Sequence, residues 1–100
     1  MKTLYLTADQ ARFLALHLEQ NPHGYDVPNL RKLDKLLSVI EQAVVTVTEN
    51  DAYTELTIEL EDAHCDLVRT VWTGLGPWRA TAREQVFAIT DALEETAKCS

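Results

Sequence analysis

Basic residues are missing from the most acidic stretch of the chain. From Glu49 to Asp66 the sequence reads ENDAYTELTIELEDAHCD, with seven carboxylates and neither Lys nor Arg. Residues 1–48 hold five acids and five bases and are neutral, whereas residues 49–100 hold eleven acids and four bases, which is the whole net charge of −7. A surface of this sign is repelled by phosphate backbones and by anionic lipid headgroups, so neither direct nucleic-acid binding nor a membrane surface is expected.

Other shortages narrow the chemistry. Nowhere do the ~18 apolar residues of a membrane helix run together. The amino-terminal MKTLYLTADQ has too short an apolar run for a secretory leader. A cytoplasmic location is expected, with Cys65 and Cys99 as reduced thiols. Glycine is scarce, three residues in all. The GLGPW segment (74–78) has no Lys-Ser or Lys-Thr step and reads as a tight connection, not a phosphate loop. His17, His23 and His64 show no ligand spacing for zinc. Cys65 adjoins His64, but helical neighbours point about 100° apart, which argues against a nucleophile–base pair. Glu61-Asp62-Ala63-His64 is a single Glu-x-x-His motif, where di-iron bundles need two. Glu55 and Glu59 are four strand residues apart, about 13 Å at ~3.3 Å per residue, too far to share an ion. No catalytic residue, metal or cofactor is therefore expected, and enzymatic function is not.

What is present describes a single domain over residues 1–100, with 46% hydrophobic and 25% charged residues. Residues 4–18, LYLTADQARFLALHL, match residues 58–72, IELEDAHCDLVRTVW, in apolar character at an offset of 54. Leu4 meets Ile58, Leu6 meets Leu60, Ala11 meets Cys65, and Leu18 meets Trp72. Further along, at an offset of 53, Leu33 meets Val86 and Ile40 meets Leu93. Two pseudo-repeat halves are expected, 1–44 and 53–97, joined by a hairpin over 44–60 that turns near Asn50-Asp51.

Each half reads as a strand followed by two helices. Thr7-Ala8-Asp9-Gln10 is a capping box ahead of a first helix burying Ala11, Leu14, Ala15 and Leu18. Pro28 suits the first turn of a second helix, whose stripe is Leu30, Leu33, Leu37, Ile40 and Val44, widened by Leu36 and Val39. Asp62 reads as the cap of a third helix, with Val68, Val71, Trp72 and Leu75 inward. Thr81-Ala82-Arg83-Glu84 is a second capping box, before Val86, Ile89 and Leu93. The fold class expected is α+β, a tandem βαα repeat of order βαα–ββαα: a three-stranded sheet with four helices packed on one face.

Alternation assigns the acidic run. Leu56, Ile58 and Leu60 share one parity, and Tyr53, Glu55, Thr57, Glu59 and Glu61 the other, so the carboxylates face outward while the leucines face the helices. Leu4, Leu6, Val45 and Val47 are expected to point inward likewise. The bland meaning of this pattern is a solvated sheet face. The functional one is a docking face presenting Tyr5, Tyr53, Glu55, Glu59 and Glu61, with Asp62 and Asp66 at its edge. There negative charge would steer a basic partner and tyrosine would supply contact energy. Trp78 is either a core residue or an interface anchor; Trp72 falls on the core stripe.

These residues imply a small non-enzymatic protein-binding module (a regulator, inhibitor or adaptor) that meets a basic protein surface, with imitation of nucleic-acid charge as one form. The alternative is a structural protein that forms a homo-oligomer through its exposed sheet or an edge strand.

Overall fold

The computed structural model describes residues 2–46, 54–78 and 82–98. Its elements are β1 (Lys2–Thr7), α1 (Ala8–Glu19), α2 (Val27–Val45), β2 (Glu55–Leu60), α3 (Asp62–Gly74) and α4 (Arg83–Lys98). The strands pair antiparallel, with Lys2 opposite Leu60, Leu4 opposite Ile58, Leu6 opposite Leu56 and Thr7 opposite Glu55.

The sheet has two strands among the described residues, and this corrects the expected three. The start of the first arm of the proposed 44–60 hairpin is instead the end of α2, which runs on to Val45. Val-Val-Thr-Val-Thr has strand-like residues, but Val44 also lies four positions after Ile40 and continues the helical stripe. Packing of that stripe outweighs the weak local preference of β-branched residues. Val45, expected inward, is 80% exposed. The observed order is thus βααβαα, not βαα–ββαα. The turn at Asn50-Asp51, the inward Val47 and the outward Tyr53 lie outside the described residues, as does Thr81 of the second capping box.

The first capping box forms as read: Thr7 accepts from the Gln10 amide, and the Gln10 side chain accepts from the Thr7 amide. The Ala8 amide donates to the Thr54 carbonyl at 3.0 Å, fastening the start of α1 to the chain just ahead of β2. At α2, Asp26 is the N-cap and accepts from the Asn29 amide at 2.9 Å, with Pro28 in the first turn. At α3 the expectation is corrected: Glu61 occupies the N-cap without a side-chain capping bond, and Asp62 is the first helical residue. There its charge still complements the positive end of the helix dipole.

One core joins both halves. Leu4, Leu6, Leu56, Ile58 and Leu60 line the inner face of the sheet and meet Ala11, Leu14 and Leu18 of α1, Leu33, Leu36 and Ile40 of α2, Cys65, Val68 and Trp72 of α3, and Val86, Ile89 and Leu93 of α4. The α2 stripe is narrower than the sequence implied: Leu30 is 52% and Val39 37% exposed. The inner and outer parities of β2 appear without exception, buried at Leu56, Ile58 and Leu60 and exposed at Glu55, Thr57 and Glu59.

The helices are distributed crosswise. The second helix of the first half, α2, runs beside β2 of the second half, and α4 of the second half runs beside β1 of the first. Thr96 on α4 donates to the Thr3 carbonyl at 3.2 Å. Each strand therefore packs against a helix from the other half, and on β1 one backbone carbonyl, that of Thr3, is taken up by the helix. Among the described residues no helix is long and apolar enough to cross a membrane.

Candidate protein-docking face

The outer face of the ribbon carries Thr3, Tyr5 and Thr7 from β1 opposite Glu59, Thr57 and Glu55 from β2. Tyr5 is 57% exposed, and Glu55 and Glu59 are exposed. Since Tyr5 faces Thr57, the two glutamates are its diagonal neighbours on the partner strand, roughly 7–8 Å away between Cα atoms. On the outer face Tyr5 is thus flanked diagonally by two glutamate positions. The exposed β2 glutamates point outward because Leu56, Ile58 and Leu60 have already claimed the inner face.

A third carboxylate joins them from α4. Thr3, Tyr5, Ala92, Glu95 and Thr96 line a small cleft of 100 Å³ between β1 and that helix. Glu95 was not among the expected residues. On α4 alone it is an ordinary solvent-facing glutamate, and only the placement of α4 against β1 brings it beside Tyr5.

Glu61 and Asp62 sit where β2 passes into α3, and both are exposed; Asp66 is exposed one turn further along α3. They extend the negative strip past the end of the ribbon. Tyr53 lies outside the described residues.

Trp78 is not brought to this face. Its ring lies 4.5 Å from that of Trp72, 5.4 Å from His17 and 6.3 Å from Phe13. Phe13 and His17 stack at 4.1 Å, and the His17 Nδ1 lies 2.9 Å from the Phe13 carbonyl oxygen. Trp72, 1% exposed, donates from Nε1 to the Thr90 hydroxyl at 2.9 Å. The cleft at Trp78 is lined by His17, Gln20, Pro22, Leu75, Pro77 and Ala82, with no residue of either strand. This four-ring cluster closes the end of the core between α1 and α3, and such ring pairs contribute packing energy beyond their buried area.

The other chemically notable groups are sealed. Cys65 is 3% exposed, and burial pushes its thiol above the usual value, with Asp62 and Asp66 adding to the rise and Lys2 opposing it. A buried thiol in an acidic setting is a poor nucleophile. Among the described residues no three His, Cys, Asp or Glu side chains are grouped so as to hold a metal ion. No family model matches the chain, and neither a curated protein nor a solved structure matches it.

Proposed function

We propose that this chain is a non-catalytic protein-binding module, of the regulator, inhibitor or adaptor kind, that docks a basic protein surface on the outer face of its ribbon. The observation that carries the reading is the exposed Tyr5 standing among Glu55, Glu59 and Glu95. Exposed tyrosine supplies contact area at low entropic cost, and interface anchors are enriched in it. Carboxylates around it raise the encounter rate with a positive partner and set its orientation. Glu61, Asp62 and Asp66 lengthen the field in one direction.

Capture on immobilised protein tests this when wild type is run beside the variant Glu55→Lys/Glu59→Lys/Glu61→Lys. All three positions are exposed, so the variant keeps the core intact. The reading expects basic proteins retained by wild type at low salt, released as salt rises, and absent from the variant. Equal retention by both would overturn it. Sedimentation of the purified chain separates the homo-oligomer alternative, which requires association without any added partner.

A further inference from the structure

A second feature adjoins the docking face and shares Glu59 of β2 with it. Where α2 passes the end of β2, a cleft of 400 Å³ opens. Glu59, Glu61 and His64 line one wall, and Asp34, Lys35, Ser38 and Val39 of α2 line the other. His64 is 7% exposed, and its ring makes no hydrogen bond to another described residue. Among the described residues no enclosed side-chain nitrogen lacks a partner, so the imidazole meets its bonding capacity from the cleft, where a ligand can take it.

We infer that this cleft takes the arginine side chain of a basic protein partner. The inference rests on the docking reading and names the group that is recognised. Three carboxylates against one ammonium make the cleft negative. A guanidinium presents five N–H donors in a plane, which can be shared between two carboxylates and further acceptors. An imidazole nitrogen of His64 offers one such acceptor and the Ser38 hydroxyl another. Val39, 37% exposed, supplies an apolar wall against which the methylene stem can lie while the head stays among the acids. A lysine fits less well: its ammonium has three donors, is more strongly hydrated, and lacks the planar fork that pairs bidentately with a carboxylate. Lys35 is the internal competitor, since its charge already offsets part of the field that would hold the guest.

The test uses the full chain with three end-capped tripeptides as probes, Gly-Arg-Gly, Gly-Lys-Gly and Gly-citrulline-Gly, read by NMR on labelled protein. The expected result is saturable shifts of the His64 ring and the Ser38 amide with the arginine probe. Binding should be weaker for lysine, and absent for citrulline, which keeps the shape without the charge. Glu59→Gln/Glu61→Gln should weaken the arginine probe by about tenfold for each charged hydrogen bond lost, up to two, and Lys35→Ala should tighten it. All three positions are exposed, so these variants test the cleft without disturbing the core, and His64→Gln tests the acceptor directly. Equal shifts from the arginine and lysine probes would overturn the inference. So would shifts confined to Tyr5 and Glu55, or an arginine affinity indifferent to Lys35→Ala. A basic protein that binds wild type at Tyr5 while His64 stays unperturbed would sink the cleft and keep the docking face. Loss of every basic partner would sink both.

Discussion

Leu4 and Ile58 lie directly opposite each other in the two-stranded ribbon, 0% and 1% exposed. They are also the pair that the offset of 54 brings together when the two halves of the sequence are overlaid. The sheet thus joins equivalent positions of the two halves at its centre, and α2 and α4 cross over to flank the strand of the opposite half. Neither half has a closed core alone: without its counterpart each strand loses its partner among the described residues, and each second helix loses the strand it runs beside.

Truncation at this pair should therefore be costly and coupled. Leu4→Ala and Ile58→Ala should each destabilise by about 2–5 kcal/mol, as buried large-to-small changes do. The double variant should deviate from additivity by ~0.5 kcal/mol or more, because the two share one cavity. Urea unfolding of the four proteins in the cycle measures both quantities.

The two tryptophans should separate cleanly. Trp72→Ala should cost about 3–5 kcal/mol, since it empties the largest fully buried site. Trp78→Ala should cost ~0.5–1.5 kcal/mol beyond its lost area, the worth of aromatic pairing. If Trp78 is part of the core cap and not of the docking face, Trp78→Ala should leave capture of a basic partner unchanged. Thermal unfolding and the capture experiment together decide this.

How much of this was legible follows from particular residues. The parity of Leu56, Ile58 and Leu60 against Glu55, Thr57 and Glu59 could be read directly, because one buried sheet face imposes a period of two. The Thr7–Gln10 capping box was legible as local chemistry, the burial of Trp72 from the helical stripe, and that of Cys65 from its match to Ala11 in the first half. The third strand was misread because Val44 fits both the helical stripe after Ile40 and a strand of β-branched residues, and only packing chooses between them; Val45, read as inward, is exposed at the helix end. Glu95 and the cleft at His64 were invisible for a different reason. They depend on which helix runs beside which strand, and nothing in the spacing of α2 or α4 specifies a neighbour.

Tyr25 links stability to alkaline pH. Its hydroxyl donates to the Leu18 carbonyl, and burial raises its pKa above the ordinary 10.0, opposed by the Asn21 side chain. The folded chain therefore holds the phenolic proton more tightly than the unfolded chain. The stabilisation is fully present below pH ~10 and is lost as pH rises through the folded value. Wild type should lose more stability between pH 9 and pH 11 than Tyr25→Phe does, measured by denaturant unfolding; equal losses would assign the effect to other groups.

Cys65 should be nearly inert in the folded chain. Its thiol is sealed, and its pKa is raised above the ordinary 9.0, first by burial. In a Cys99→Ser background, a thiol reagent at pH 8 should react about a hundredfold or more slower with native than with urea-unfolded protein, since reaction must wait for local opening. Comparable rates would contradict the buried placement.

The outer face of the ribbon is the centre of the account, and shift mapping with a captured basic partner tests it most directly. The account predicts that the largest perturbations of labelled protein fall on Thr3, Tyr5, Glu55, Thr57, Glu59 and Glu95, and that they vanish in Glu55→Lys/Glu59→Lys/Glu61→Lys while that variant unfolds at the temperature of wild type. Perturbations centred on the Trp78 cluster or on the α1–α2 connection, with the ribbon unshifted, would contradict it.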